Sequence, residues 1–121
     1  MATLTPTFSL VTDSTFKDDL NFSINGKALT IGGDSLVRTF ELSTTSKKIF
    51  DSTSFTGKCY LAVVNKSQTA NVTIQDGQGT NVFSLGGNEF LFVPWSNSSD
   101  LLASTEAAGS FIEVYVFEVG L

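Results

Sequence analysis

The sequence of 121 residues predicts an all-β protein, a single antiparallel β-sandwich of jelly-roll-like form with about eight short strands. Ser and Thr make up about a quarter of the chain and, with Val, Ile and Phe, favour pleated strands over helices. Short runs with period-two alternation recur between Gly, Asn and Asp turn signals at intervals of about 8 to 12 residues. No segment has the period of an amphipathic helix. The length fits one domain, so residues 1–121 are interpreted as one sandwich.

Residues 1–19 have apolar positions separated by Thr and Ser, and Pro6 opposes ordinary ladder pairing. We expect this segment to form either an edge strand or an extended N-terminal arm that packs on a neighbouring subunit. The residues alone leave both alternatives open.

The strongest local hairpin signal in the chain is Asn25-Gly26, because both residues of a two-residue turn must accept positive φ. Apolar positions alternate on either side of it, so one face of the hairpin would be buried. The predicted register pairs Phe22 with Leu29 and Leu20 with Ile31.

The next strand is predicted over residues 36–42, where Arg38 interrupts an otherwise apolar face and indicates a position near a sheet edge. A short strand is expected to start at Ile49. Residues 59–64 are apolar on both faces, as expected for a central strand covered on each side. Cys59 lies in this run and is interpreted as a small buried hydrophobe with a raised pKa, since the chain has no His that could activate it as a nucleophile.

The remaining strands follow the same alternation. Residues 72–74 and 82–85 are joined by a Gly-containing turn, and residues 90–93 form a strand that Pro94 ends. Residues 111–119 are long and apolar enough on both faces to lie inside a sheet. The 11 Phe residues exceed what a minimal core requires, and the surplus is expected to fill contacts between subunits.

The composition leaves little for catalysis, since the chain has no His and one Cys. Five Asp residues lie among turn-forming residues and are interpreted as solvated turn residues. They are Asp13, Asp34, Asp51, Asp76 and Asp100. The sequence therefore predicts no catalytic residue, no cofactor and no metal ligand, and an enzyme is not expected. A weak calcium site assembled from separate loops stays open.

Trp95 is the one candidate ligand contact. An exposed Trp in a loop at the end of a sandwich can stack on a sugar ring, which would make the protein a carbohydrate-binding module. The alternative is that Trp95 closes the end of the core after Pro94. Four sequences of the form Asn-x-Ser/Thr are discounted as glycosylation sites, because about two are expected by chance. They begin at Asn21, Asn65, Asn71 and Asn97.

The charge of the chain argues against two classes of partner. The net charge is −5 and charged residues make up 16%, so nucleic acid and anionic membrane surfaces are poor partners. The first residues lack the basic and apolar regions of a signal peptide, so we expect folding in a cytoplasm.

The C-terminal half, residues 59–119, resembles small virion structural proteins of tailed bacteriophages. The resemblance rests on a strand that ends in an Asn turn, a second short strand, a Gly-Gly-x-Glu-Phe-x-x-x-Pro-Trp segment and the closing strand. These are Tyr60 to Ser67, Ala70 to Ile74, Gly86 to Trp95, and Glu113 to Glu118.

The resemblance implies a β-sandwich, often jelly-roll-like, that decorates or cements a capsid, frequently as a homotrimer, or that occurs in tail assemblies. It implies the major capsid protein or other virion proteins as partners. The protein would lie on the capsid surface of the virion, and it would be in the host cytoplasm during assembly. A tail or head–tail adaptor component is the alternative within the same setting.

Overall fold

The computed structural model of the chain describes residues 2–11, 21–26, 29–31, 35–95 and 99–119. These residues form twelve strands and one short 3-10 helix over Ser52–Ser54. The strands are β1 (Ala2–Leu4), β2 (Thr7–Val11), β3 (Asn21–Asn25), β4 (Leu29–Ile31), β5 (Ser35–Leu42), β6 (Lys47–Phe50), β7 (Cys59–Asn65), β8 (Val72–Asp76), β9 (Asn81–Leu85), β10 (Phe90–Trp95), β11 (Leu101–Thr105) and β12 (Ser110–Glu118).

Eight of these strands build two antiparallel four-stranded sheets that pack against each other. The front sheet has the order β10-β7-β12-β5, and the back sheet has the order β6-β11-β8-β9. Across both sheets the pairs are nested, since β5 pairs with β12, β6 with β11, β7 with β10 and β8 with β9. Nested antiparallel pairs wrapped into two sheets are the jelly-roll arrangement. The predicted fold class is confirmed.

The core lies between the two sheets and follows from strict alternation in the central strands. Alternate residues of β7 and β12 are buried, including Leu61, Val63, Val114 and Val116, while their neighbours point to the other side. The predictions that residues 59–64 and 111–119 lie inside a sheet are confirmed, since both strands have a neighbour on each side. The prediction of an edge position for residues 36–42 is also confirmed, because β5 is the outermost strand of the front sheet.

The four N-terminal strands form two short ribbons, β1 with β4 and β2 with β3, which we call together the N-terminal ribbon. The predicted hairpin around Asn25-Gly26 is therefore wrong. β3 pairs with β2 and β4 pairs with β1, so Phe22 lies opposite Leu10 and Leu29 opposite Leu4. Residues 12–20 lie outside the described residues.

Gly26 is needed for a close approach, not for a turn. Its N–H donates to the carbonyl of Pro6 at 2.8 Å, and a Cβ at this position would lie 2.8 Å from Cγ of Pro6. Of the two alternatives for residues 1–19, the described residues 2–11 pair within the ribbon and take no part in either four-stranded sheet.

A buried asparagine fixes the end of β7. Asn65 is 0% exposed, and its Nδ2 lies 2.9 Å from the carbonyl oxygens of Ala70 and Gly86 and 3.2 Å from that of Leu85. Its Oδ1 accepts the N–H of Ser67 at 3.0 Å. One side chain therefore joins the loop after β7 to the turn after β9, and its burial leaves no room for a glycan.

A buried glutamate closes the opposite end of the front sheet. Glu118, at the end of β12, is 7% exposed. Its Oε2 accepts the N–H groups of Thr56 and Gly57, each at 2.7 Å. The loop between the 3-10 helix and β7 is thus held to the last strand of the sandwich.

Candidate functional site

The outer faces of the two sheets differ in chemical character. The outer side of the back sheet carries mainly small polar residues between its buried positions: Thr73, Gln75, Ser84, Leu102 and Ser104. The outer side of the front sheet, which we call the front face, is mainly apolar and aromatic: Tyr60, Ala62, Val64, Phe90, Phe92, Tyr115 and Phe117. Its polar positions include Glu113, opposite Val64, and Thr39 and Glu41 on β5. One sheet therefore presents water with a surface that resembles half of a core.

The strand register makes the front face continuous. One row crosses the whole sheet, because Phe92 lies opposite Ala62, Ala62 opposite Tyr115, and Tyr115 opposite Val37. Cross-strand neighbours on one face lie about 4.5–5.5 Å apart at Cβ, so such a row has no polar gap. Phe92 also stacks on Tyr60, with ring centroids 5.9 Å apart.

A groove of about 800 Å³ lies between the front face and the N-terminal ribbon. Leu4, Pro6 and Phe8 line it from the ribbon side. Phe90 and Phe117 are among the residues that line it from the front face. Protein interiors leave few voids larger than a water molecule, so the ribbon does not pack tightly on its own sheet.

Three phenylalanines around this groove are unusually exposed: Phe90 by 61%, Phe8 by 44% and Phe92 by 38%. A free Phe side chain presents about 200 Å², so the three leave roughly 300 Å² of apolar surface in water. Val37 and Phe111, at the far side and one end of the front face, are exposed by 60% and 44%. Together the five leave roughly 450 Å², which lies in the middle of the range of about 300–600 Å² for the largest apolar patch on a monomer.

Glu113, on the front face, is paired with two neighbouring polar groups. The Nζ of Lys66 lies 3.2 Å from Oε1 of Glu113, and the hydroxyl of Tyr115 donates to the other carboxylate oxygen of Glu113 at 3.3 Å. The Nζ of Lys58 lies 5.2 Å from the ring centroid of Tyr60. The face thus combines apolar area with a carboxylate whose charge is compensated at Glu113, which suits contact with another protein surface.

The edges of both sheets oppose strand addition. In the front sheet, Arg38 of β5 lies opposite the core residue Val114, which puts a charge on the inner side of an edge strand, and β10 carries Pro94. In the back sheet, β6 begins with Lys47 and Lys48, and the pairing of both edge strands with their neighbours is interrupted by a register shift. Inward charge, lysine, proline and bulges are the devices that block edge-to-edge pairing. The front face is therefore the surface suited to a partner.

The prediction that Pro94 ends its strand is wrong, because β10 continues through Pro94, opposite Tyr60, to Trp95, opposite Cys59. β10 is an edge strand, where proline is tolerated. Trp95 therefore lies on a strand and not in a loop, and it is half-buried. It packs against the core and meets Phe83 edge-to-face at 6.3 Å between centroids, and its indole N–H donates to the carbonyl of Ser99 at 3.0 Å. This is the geometry of a residue that closes the end of the core. Sugar binding through Trp95 stays a prediction.

Of the five aspartates, Asp51, Asp76 and Asp100 are among the described residues, while Asp13 and Asp34 lie outside them. Asp51 and Asp76 have the predicted turn role, since each accepts backbone N–H bonds from residues two to four positions later. Asp51 and Asp76 thus accept hydrogen bonds from nearby backbone N–H groups, whereas Asp100 makes a contact between loops.

The contact made by Asp100 holds the loop before β11 to the 3-10 helix. Oδ1 of Asp100 accepts the N–H of Ser52 at 2.7 Å, and its Oδ2 lies 3.2 Å from Nζ of Lys48. Hydrogen bonds from Ser52 lower the pKa of Asp100, and those from Thr53 lower the pKa of Asp51. The hydrogen bond with Asp100 raises the pKa of Lys48. All three groups are held in their charged forms, which suits ion pairing and not proton transfer.

No protein-family model matches this sequence, and no curated protein matches it significantly. In the described residues, no three His, Cys, Asp or Glu side chains are grouped so as to hold a metal ion. Among the described residues, no helix is long enough and apolar enough to cross a membrane.

The groove and the open front face are the features that sequence reasoning missed. The apolar outer positions of residues 59–64 predict a strand that is covered on both faces. Residues such as Ala62 and Val64 instead line the groove under the ribbon. The exposed Phe residues were signalled by the surplus of Phe, but alternation alone does not say whether a second apolar face is covered within one chain.

Cys59 is predicted to be inert in the native protein. It is 0% exposed, and burial, with a smaller contribution from Glu118, raises the pKa of its thiol to about 11. Reaction with a thiol reagent at pH 8 should be at least about 100-fold slower than in denaturant, because both access and thiolate are lacking. Since the thiol of the unfolded chain ionises with a pKa near 9.0, stability is expected to fall as the pH rises from there towards 11. Rapid labelling of the folded chain would contradict this assignment.

Proposed function

We propose that the protein is a non-enzymatic structural subunit of a bacteriophage virion, a capsid decoration or cement protein that acts through protein–protein contacts. The observation that carries the proposal is the front face, where Phe90 and Phe92 stand exposed on a sheet whose inner side already forms the core. The jelly-roll sandwich and the resemblance of residues 59–119 to small virion proteins point in the same direction. The partner is the major capsid protein or another virion protein.

The area of the front face indicates how such a subunit would bind. Burial of the roughly 450 Å² that the five exposed residues leave, Phe8 of the ribbon included, is worth about 11 kcal/mol before costs. Association of two proteins costs about 4–15 kcal/mol in lost translational and rotational freedom, so the net free energy of one such contact is close to zero. Linking several contacts makes the later ones intramolecular and raises the total affinity without new chemistry. A homotrimer that presents several copies to the shell satisfies this requirement.

The proposal places the protein on the capsid surface, after folding in host cytoplasm. There it would span boundaries between capsomers, and each buried contact would oppose their separation under internal pressure. Contact through a sheet face also agrees with the blocked edges of both sheets, which prevent uncontrolled strand addition between copies.

The test is to purify particles of the phage that encodes this chain, count its copies by quantitative mass spectrometry and locate it by cryo-electron microscopy. Copies in the hundreds on the shell are expected. About six or twelve copies at the neck or tail would indicate the adaptor alternative, because those structures follow cyclic symmetry. Absence from the particle would overturn the proposal.

Site-directed variants sharpen this test. Phe90→Asp puts a charge into the proposed contact and should reduce occupancy on the particle at least about tenfold. Val82→Asp is the matched control, since Val82 is also exposed but lies on an edge strand of the back sheet. Equal occupancy of the two variants would show that the front face is not the contact.

A further inference from the structure

We infer that the groove between the N-terminal ribbon and the front face is a binding site for an uncharged apolar small molecule, a hydrocarbon chain such as that of a long-chain alcohol. This site goes beyond the proposed function and does not depend on it, because it lies within one copy of the chain. The shape of the groove, its shortage of polar side chains and its weak hold on water each favour such an occupant.

The groove has two walls that come from different layers of the same chain. Leu4 and Phe8 line it from the ribbon side, and Phe90 and Phe117 line it from the sheet side. Small-molecule sites are typically concave, mainly apolar and about 300–1,000 Å³ in volume. The volume here is about 800 Å³. A molecule between the walls would contact apolar side chains on both sides, whereas a molecule on a flat face contacts them on one.

A small residue forms a hollow in the sheet-side wall. Ala62 lies opposite Phe92 on one side and opposite Tyr115 on the other, and all three residues line the groove. Cross-strand neighbours on one face are about 4.5–5.5 Å apart at Cβ, so the two rings flank a position that carries only a methyl group. The wall is therefore lowest at Ala62, between two aromatic rings, where a narrow hydrocarbon chain can lie.

The described residues that line the groove carry no charge, and Thr7 and Tyr115 are the polar side chains among them. The hydroxyl of Tyr115 donates to Glu113 at 3.3 Å, and Thr7 is exposed to water. In the ribbon wall, the N–H of Gly26 donates to the carbonyl of Pro6 at 2.8 Å. A charged or strongly polar molecule would find few partners here for the hydrogen bonds that it gives up in water, which disfavours sugars, nucleotides and peptides.

The same lining holds water weakly. A volume of about 800 Å³ corresponds to about 25 molecules of liquid water, and an ordered buried water typically makes about three hydrogen bonds. The few polar side chains of the groove cannot order so many molecules. Displacement of poorly ordered water by an apolar group gains affinity, so a hydrocarbon chain that fills the groove is favoured over the solvent that it replaces.

The first experiment titrates the full chain with the uncharged dye phenylnaphthylamine, whose fluorescence increases in apolar surroundings, and then displaces the dye with hexanol, octanol or decanol. Saturable binding of one dye molecule per chain is expected. The affinity of the alcohols should rise roughly tenfold for each two CH₂ groups added, because each CH₂ that leaves water for the groove contributes a similar free energy. Glucose, which needs hydrogen-bond partners, should not displace the dye.

The second experiment locates the binding with matched variants. Ala62→Phe fills the hollow, and Phe8→Ser removes a ring from the ribbon wall, so each should weaken decanol binding at least about tenfold. Phe111→Ser is the control for Phe8→Ser, because both side chains are 44% exposed but Phe111 does not line the groove. Val82→Phe is the control for Ala62→Phe, since it adds the same ring at an exposed position on an edge strand of the back sheet. Both controls should bind decanol like the wild type.

Near-ultraviolet dichroism of Trp95, which packs against Phe83 and the core, reports whether each variant is folded, and Ala62→Leu replaces Ala62→Phe if the larger ring prevents folding. The inference is overturned if the wild type shows no saturable binding, if the folded Ala62 variant binds like the wild type, or if Phe111→Ser loses as much affinity as Phe8→Ser. The virion test is separate. A chain that binds decanol but is absent from particles contradicts the proposed function alone, whereas a particle-bound chain whose groove takes no alcohol contradicts this site alone.

Discussion

Replacement of Asn65 by leucine is expected to lower the free energy of unfolding by about 4 kcal/mol, among the largest effects of a single substitution in this chain. Leucine is similar in size and suits an apolar core, so a cavity is not the cause. The loss comes from hydrogen bonding, because the Asn65 side chain contacts three carbonyls and one N–H at a site with 0% exposure. Each buried polar group left without a partner costs about 1–3 kcal/mol.

The measurement is denaturant unfolding followed by the fluorescence of Trp95, the single tryptophan of the chain. Gln68→Leu is the matched control, since it makes a similar change in the same loop at an exposed side chain and should shift stability by less than about 0.5 kcal/mol. Asn65→Asp keeps an acceptor for Ser67 but loses the donors, so it should be nearly as damaging as leucine. A loss of less than about 1 kcal/mol for Asn65→Leu would show that the loop contacts are not coupled to the fold.

The two sheets could be predicted from the sequence because their pattern is local and repeated. In β7 and β12, each apolar residue that enters the core is followed by one that leaves it, and nothing in the turns contradicts this alternation. Arg38 marked β5 as an edge strand for a direct physical reason: a charge on the inner side of a sheet is tolerated where water reaches it.

The N-terminal pairing could not be predicted in the same way. Asn25-Gly26 is a strong turn signal, but a turn preference is worth little compared with a full set of strand pairs. The chain instead pairs β3 with β2 and β4 with β1, and Gly26 serves the close contact with Pro6. Apolar and polar residues alternate in the same way whether a strand pairs with the next strand in a hairpin or with a strand distant in sequence. The period of a strand therefore does not identify its neighbour in the sheet.

The candidate site was partly predictable for a related reason. A strand that is apolar on both faces indicates that both faces are covered, but it does not show that both covering layers belong to the same chain. In this protein the back sheet covers one side of the front sheet, and the ribbon covers the other side incompletely. The proposed partner surface is recognised only when the exposure of Phe90 is set beside its place on the sheet.

Glu118→Ala is expected to lower the free energy of unfolding by about 3 kcal/mol and to open the end of the sandwich near Cys59. The carboxylate accepts two backbone N–H groups at 2.7 Å, from Thr56 and Gly57, and hydrogen bonds to a charged group are each worth about 1.5–3 kcal/mol. Alanine removes the acceptor, so the N–H groups of Thr56 and Gly57 lose the carboxylate to which they donate. Glu118→Gln keeps one acceptor oxygen and should recover about half of the loss.

The thiol of Cys59 reports whether this loss is local. Its Sγ lies 3.7 Å from the carbonyl oxygen of Gly57, directly behind the loop that Glu118 holds. If Glu118 mainly ties down the loop, thiol labelling in Glu118→Ala should accelerate more than the change in global stability accounts for, because the loop opens without unfolding the sheets. Glu113→Ala, on the same strand but in a partly exposed ion pair with Lys66, should cost less than about 1 kcal/mol and leave labelling unchanged. Equal labelling rates in the two variants would mean that the end of β12 is held by core packing, and that the carboxylate contributes no loop contact of its own.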